Sequence, residues 1–250
     1  MDKKVYFLSD AHLGAKSHIN SHETERKLCR FLDKAKQDAK AIYLVGDIFD
    51  YWFEYKNVIP QGFTRTLGKI SEITDSGIEV HFFIGNHDIW LRDYLQKECG
   101  VIVHRIPLIT NIFDKKLFIA HGDGLGDKSL SFRLLRKMFH SKFLRFIFAS
   151  VHPRWTVGLA HIWSAHSRES GEIADYLGED KEFLIQFAKE EIIRQPDIDY
   201  FIFGHRHILH EFELPNKARV IHLGDWINHF SYAVLDKTGI TLMKFEEVPF

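Results

Sequence analysis

Apolar positions in this chain fall into short continuous runs, separated at first by stretches with helical spacing and later by little more than turns. Val5–Leu8 predicts a strand, and Leu28, Phe31, Leu32 and Ala35, at i, i+3, i+4 and i+7, predict one face of a helix. Ala41–Val45 predicts a second strand. Phe63, Leu67 and Ile70 predict a helix that ends near Gly77, and Val80–Ile84 and Leu117–Ala120 predict two more strands. Leu184, Phe187, Ala188 and Ile192 mark a helix stopped by Pro196. Strands are then expected at Tyr200–Phe203, His210–Leu214, Arg219–Leu223, Ser231–Leu235 and Thr241–Phe245. Helix-linked strands early and hairpin-like strands late predict an α/β sandwich of mixed sheets. The chain shows no repeat, low-complexity tract or linker, so a single domain over 1–250 is expected.

Polar residues gather where the strands end. Val5–Leu8 runs into Ser9-Asp10-Ala11-His12, Tyr43–Val45 into Gly46-Asp47, and Phe82–Ile84 into Gly85-Asn86-His87-Asp88. Phe118–Ala120 runs into His121-Gly122-Asp123, and Phe201–Phe203 into Gly204-His205-Arg206-His207. Five strands would thus deliver Asp, Asn and His to one sheet edge, beyond the carboxyl ends of strands, where open α/β folds bind ligands. Asp10/His12 and His205/His207 are i, i+2 pairs, which extended backbone would project to one side. Gly46, Gly85 and Gly204 precede ligand positions, where a missing Cβ permits a sharp turn and close approach.

Each signal alone is weak: Gly-Asp is common, Gly-Asn-His-Asp reads equally as a turn, and His121 could be a satisfied buried histidine. Five in order at five strand ends are hard to obtain by chance. Two Asp, one Asn and four His suit Mn²⁺, Fe²⁺ or Zn²⁺ better than an all-oxygen cage. Seven ligands exceed one ion's needs but suit a pair about 3.5–4 Å apart.

Composition narrows the setting. The formal charge is −1, with no strong overall pull toward nucleic acid or membrane. Cys29 and Cys99 are expected to be free thiols in a reducing compartment. Neither a leader-like apolar segment nor a run of about 18 apolar residues is evident, so a cytoplasmic protein is the expectation. From Lys128 to Arg168, however, there are eight Lys/Arg and no acid, leaving a formal −9 for the rest. Phe132, Leu135, Phe139, Phe143 and Phe146 share one helical face there. With Leu134, Met138, Leu144 and Phe148 they predict a helix apolar almost all round, in a segment that also holds Trp155 and Trp163. As a buried cap, 128–170 would only cover the core. As a basic, apolar lid it would suit acyl chains, anionic head groups and an anionic membrane surface. The remaining negative charge would repel a long polyanion, and no obligate protein partner is implied.

Asp-x-His, Gly-Asp, Gly-Asn-His-Asp, His-Gly-Asp and Gly-His-x-His, in this order over residues 8–207, resemble the calcineurin-like metallophosphoesterase superfamily. That resemblance implies a four-layer α/β/β/α sandwich of two mixed sheets with a helical lid inserted, and a dinuclear phosphoesterase. It also implies the ligands: Asp10, His12, Asp47 and His207 for one ion, and Asp47, Asn86, His121 and His205 for the other, with Asp47 bridging. A water shared by the ions would attack phosphorus. His87 would stabilise the transition state or protonate the leaving group, and Asp88 would orient its ring.

Gly-Asp-Ile-Phe-Asp-Tyr-Trp, His-Gly-Asp-Gly-Leu, Leu-Gly-Asp-Trp and Ala165-His166-Ser167-Arg168-Glu169 are further similar to the UDP-2,3-diacylglucosamine hydrolases of lipid A synthesis. That implies Mn²⁺, a Gram-negative host, and cleavage at the α-phosphorus to UMP and 2,3-diacylglucosamine 1-phosphate. Asn86, His87, Asp127, Ser167, Arg168 and His205 would contact substrate. The chain departs from that family's best-known branch at His87, where an Arg is usual, and at Gly171, where an Asn is expected. The competing readings are a phosphodiesterase or nucleotide pyrophosphatase for a soluble substrate, which needs no apolar basic lid, and a non-enzymatic scaffold, which tends to lose ligands.

Overall fold

The computed structural model describes residues 3–15, 21–126, 137–139, 141–152, 155, 158 and 175–246. Among the described residues, eleven strands form two sheets. β1 (Lys4–Leu8), β2 (Ala39–Val45), β3 (Glu79–Phe83), β4 (Ile102–His104), β10 (Ser231–Asp236) and β11 (Gly239–Lys244) make the first, in the order β11-β10-β1-β2-β3-β4. β5 (Leu108–Ile112), β6 (Lys115–Ala120), β7 (Tyr200–Phe203), β8 (Leu209–Glu213) and β9 (Arg219–Leu223) make the second, in the order β5-β6-β7-β9-β8. β1 to β4 run parallel, as do β6, β7 and β9, while the outer strands β10, β11, β5 and β8 pair antiparallel.

The central strands β1, β2, β3, β6, β7 and β9 are mostly apolar because both faces of each sheet are covered there. In β1, Tyr6 and Leu8 pack outward under α1 (Ser21–Ala35), α2 (Thr64–Asp75) and α3 (Tyr94–Cys99), through Leu28, Phe31, Ile70, Ile73 and Leu95. Val5 and Phe7 point the other way and meet Leu117, Ile119, Ile202 and Ile221 of the second sheet. Phe201 and Phe203 of β7 face outward onto α5 (Phe183–Arg194) through Leu184, Ile185 and Ala188. Three apolar interfaces between four layers are the α/β/β/α sandwich expected.

α2 begins at Phe63, whose left-handed backbone (φ 60°) offers no side-chain cap. Glu25 of α1 substitutes: its Oε1 accepts from the N–H groups of Arg65 and Thr66, both at 3.2 Å, which accounts for a carboxylate only 4% exposed. Cys29 and Cys99 are free thiols. Among the described residues no helix is long and apolar enough to cross a membrane.

In the insertion the expected continuous helix is broken. Ser141 has extended backbone (φ −67°, ψ 118°) and its Oγ accepts from the Leu144 N–H, capping a separate α4 (Lys142–Ser150). Phe139 and Phe143 therefore do not share one helical face, a break that periodicity alone could not register. Most of 128–170 lies outside the described residues.

Candidate metal centre

The loops after β1, β2 and β3 in one sheet and after β6 and β7 in the other carry the chemistry, so the centre straddles two sheet edges rather than one. The parallel strands make this possible, because parallel neighbours present their carboxyl ends on one side. Hydrogen bonds stitch the loops together. The Asp10 N–H donates to the Gly46 carbonyl at 3.1 Å, the His12 N–H to the Asp47 carbonyl at 3.0 Å, and the Gly204 N–H to the His121 carbonyl at 2.9 Å.

The paired ligands are not on extended backbone. Asp10, His12, Asp47, His205 and His207 have φ of 56°, 42°, 52°, 66° and 54°, so left-handed turns, not pleating, aim the i, i+2 pairs. Such backbone costs about 1–3 kcal/mol per residue and persists where the surroundings over-determine it. The glycines behave as expected from close approach. A Cβ on Gly85 would lie 2.2 Å from Asp47 Oδ1, one on Gly46 2.5 Å from His121 Nδ1, and one on Gly204 2.6 Å from Asp10 Oδ2.

What converges is an excess of acceptors. His121 Nδ1 lies 2.9 Å from the Val45 carbonyl, so it carries a proton, and Nε2 faces Asp47 Oδ2 at 3.2 Å and Asn86 Oδ1 at 3.3 Å. Burial opposes charge on this ring, but the Asp47 carboxylate outweighs it and holds the imidazole pKa well above its usual value. His12 Nε2 and His207 Nε2 stand 3.2 Å apart, each near Asp10 Oδ1, at 3.8 and 3.4 Å. The Nδ1 atoms of these two rings lie toward Asp50 and Asp225, at 3.4 and 3.5 Å. Lone pairs aimed at lone pairs inside a buried site repel unless a cation sits between them, so the residues fit divalent metal. Three groups of potential ligands overlap here: Asp10, His12 and His207; His12, Asp47 and His87; and Asp47, His121 and His205. Asp47 belongs to two of them, the place a bridging carboxylate must occupy.

The electrostatics have the same sense. Burial opposes ionisation of Asp47, but His121, His87 and His12 outweigh it and hold the carboxyl well below its usual range. Burial likewise opposes charge on His12, yet the facing carboxylates of Asp10, Asp50 and Asp47 raise its imidazole to about 10. The centre attracts positive charge.

The remaining expected residues divide. His87 is within the centre: its N–H donates to Asp47 Oδ1 at 2.9 Å, and its ring meets His12 edge-on with centroids 4.7 Å apart. Asp88 does not orient that ring. Its carboxylate accepts from the Gly85 and Ile48 N–H groups at 2.6 and 3.0 Å, bracing the loop, because the turn after β3 leaves those donors buried. The His87 ring is held instead by Asp50, whose carbonyl lies 2.9 Å from Nδ1. Asp50 was legible only as part of Gly-Asp-Ile-Phe-Asp; a carboxylate inside an apolar run must face a polar partner, which is the signal it offered. Asp127, Ser167 and Arg168 lie outside the described residues. Between the ligands His205 and His207, Arg206 pairs doubly with Glu182, at 3.0 Å through Nε and Nη2, which fixes the loop from behind. Nothing in the sequence pattern singled out Glu182.

A small cleft of about 50 Å³ opens beside the centre, sharing Gly85, His121 and Gly122 with it and walled by Ile84, Ile89, Ile106, Pro107 and Leu125. The insertion docks nearby: Phe148 packs on Phe53 and Trp90 at 5.0 and 4.8 Å, and the Trp90 Nε1–H donates to the Phe139 carbonyl at 3.0 Å. Phe143 and Phe146 are 70% and 71% exposed on α4, with Ile147 at 45%.

Comparison with known proteins gives consistent results. The family model described as calcineurin-like phosphoesterase matches residues 3–209. The UDP-2,3-diacylglucosamine hydrolase of Porphyromonas gingivalis is 46% identical, over 99% of this chain and 100% of that protein. The enzyme of the same name from Neisseria meningitidis serogroup A is 28% identical, over 98% and 99%. Among solved structures, the phosphoesterase Yfce from E. coli is similar with a TM-score of 0.49 and 14% identity, over 96% of this chain and 92% of that one.

Proposed function

Because the chain belongs to the calcineurin-like phosphoesterase family, we propose that it is a metal-dependent hydrolase of UDP-2,3-diacylglucosamine, releasing UMP and 2,3-diacylglucosamine 1-phosphate. The observation that carries the chemistry is the convergence of bare imidazole, amide and carboxylate acceptors on one buried point. Asp10, His12, Asp47 and His207 would hold one ion and Asp47, Asn86, His121 and His205 a second, with Mn²⁺ the choice that fits the mixed oxygen and nitrogen donors. Bound divalent metal supplies charge neutralisation for the phosphoryl oxygens and acidifies a water.

The chain's own residues do the rest. His87, fixed at Nδ1 by the Asp50 carbonyl, leaves Nε2 to carry the second proton when the ring is charged, and it is this proton that a phosphoryl or leaving oxygen would accept. The leaving group is itself a phosphate ester, acidic enough to depart with little protonation. This eases the demand on His87, whose burial lowers its basicity. We assign residues 128–170 the role of a lid, and Asp127, Ser167 and Arg168, which lie outside the described residues, the role of head-group contacts. Two features support a lipid substrate: the exposed Phe143, Phe146 and Ile147 on α4, and the name of the 46% identical relative. We read the same exposed face, in a segment with eight Lys/Arg and no acid from Lys128 to Arg168, as the contact with an anionic membrane surface for a cytoplasmic enzyme.

The test is UMP release with Mn²⁺. UDP-2,3-diacylglucosamine should turn over far faster than UDP-N-acetylglucosamine. Equal rates would assign the centre to a soluble nucleotide diphosphate and remove the lipid claim.

A further inference from the structure

The Leu-Gly-Asp-Trp segment supplies no ligand to the centre, yet it is built against it. The Trp226 N–H donates to the Asp10 carbonyl at 3.0 Å, and the Trp226 ring, fully buried, stacks among Phe31 and Phe245. Gly224 stands at φ 75°, and a Cβ there would lie 2.1 Å from Ser231 Oγ, so the turn admits little else. Between them, Asp225 is 1% exposed.

Its two oxygens have different work. Oδ1 accepts from three consecutive N–H groups, Ile227 at 3.0 Å, Asn228 at 2.6 Å and His229 at 2.9 Å. Those bonds lock the carboxylate so that Oδ2 has one direction to face. Oδ2 lies 3.5 Å from Nδ1 of His207 and 3.2 Å from Nδ1 of His229. On the far side of the His207 ring, Nε2 is 3.4 Å from Asp10 Oδ1 and 3.2 Å from His12 Nε2.

We propose that Asp225 is a positioning residue that keeps the proton of His207 on Nδ1, so that Nε2 presents a lone pair to a divalent cation. The inference rests on the ligand assignment above. A neutral imidazole has one proton for two nitrogens, and an acceptor behind one nitrogen fixes the proton there. The turn alone could explain Oδ1; it does not explain why the second oxygen of a buried carboxylate faces a ring whose other edge enters the centre.

Asp225→Asn separates the two roles. The amide oxygen can keep the three backbone donors, while the NH₂ group replaces Oδ2 and donates toward Nδ1. The His207 proton must then move to Nε2, where it blocks metal. The full-length protein, stripped by chelator, is titrated with Mn²⁺ by calorimetry. We expect one binding event weakened by about 10- to 100-fold, with the metal-free variant melting within about 2 °C of wild type. His229→Ala should bind Mn²⁺ as wild type does. Unchanged Mn²⁺ affinity in Asp225→Asn overturns the proposal, as does equal weakening in His229→Ala. A loss of affinity accompanied by a lower melting temperature of the metal-free variant assigns the carboxylate to the turn alone, and also overturns it. His207→Ala is the control: if it leaves both events intact, the ligand assignment itself fails, a result distinct from failure of Asp225.

Discussion

The metal centre and the insertion after Gly126 use aromatic and polar residues in opposite ways. At the centre every group is committed: strained left-handed residues, glycines with no room for a methyl, and carboxylates shared between loops from two sheets. In the insertion one side of α4 is fastened, through Phe148 on Phe53 and Trp90, while Phe143 and Phe146 remain uncommitted. The difference separates chemistry from choice of substrate. A phosphoryl group must be met in one geometry, whereas an acyl chain needs only apolar surface that tolerates several poses. Lesions at the centre should therefore damage all substrates alike, and lesions on the exposed face of α4 should discriminate.

The largest effect is expected from Asp47→Ala. Asp47 lies in two of the three overlapping groups of potential ligands and also accepts from the His87 N–H, so under the proposed assignment its loss would open both ion sites at once. Turnover of acylated substrate and of a small chromogenic diester should each fall by at least about a thousandfold, some 4 kcal/mol of transition-state stabilisation. Retained turnover of the diester would refute the two-ion assignment. Gly85→Ala should come next, because its Cβ would press on the backbone nitrogen of Asp47 at 2.7 Å as well as on the carboxylate. Relief requires moving backbone, at a cost of about 1–3 kcal/mol. Activity on both substrates should fall by at least about tenfold together with thermal stability, and an unaffected melting curve would show that the loop has slack.

A smaller, selective effect tests the other side of the comparison. Phe143→Ser with Phe146→Ser removes exposed apolar surface and should raise KM for acylated substrate by at least about tenfold, since full burial of one such side chain is worth roughly 1.5–3 kcal/mol and partial cover by an acyl chain a share of that. The small diester should be untouched and the protein should melt as before. Phe148→Ser, by contrast, deletes the anchor and should loosen the insertion for every measurement. If the exposed pair behaved like the anchor, α4 would be core rather than lid surface.

The sequence carried much of this architecture because the sheets are covered on both faces. Each of the strands β1, β2, β3, β6 and β7 holds a mostly apolar run that ends on a polar cluster. Less was legible at β4, β5 and α3. Ile102 and Ile109 are exposed at 42% and 40%, so β4 and β5 lack a clean apolar pattern, and the six residues of α3 are too few to show a period. The ligand types were readable from the chain, but their left-handed backbone was not, since Asp and His do not announce a positive φ. Asp50 and Asp225 escaped notice as supports for a different reason. A residue that acts through another residue's ring is recognised by what lies behind that ring, and only the fold supplies this.

The last effect is on stability rather than turnover, and concerns a histidine remote in role from the chemistry and opposite in electrostatic sense to His12. His222 on β9 is 1% exposed, and neither ring nitrogen has a hydrogen-bond partner among the described residues. Burial, with lesser contributions from His210 and Arg206, lowers its pKa from 6.5 to about 3 despite the opposing field of Glu182. The folded protein therefore keeps this ring neutral in a range where the unfolded chain protonates it. Stability is fully present above pH 6.5 and is lost as pH falls toward 3, because the unfolded state then binds the extra proton. Between pH 7 and 4.5 this one ring should cost about 3 kcal/mol, at about 1.4 kcal/mol per pH unit below 6.5. Urea unfolding of metal-free protein at both pH values should show that His222→Leu loses less stability on acidification than wild type, by roughly that amount. Parallel curves for the two proteins would mean that the ring protonates in the folded state, and that acid sensitivity arises at the metal centre instead.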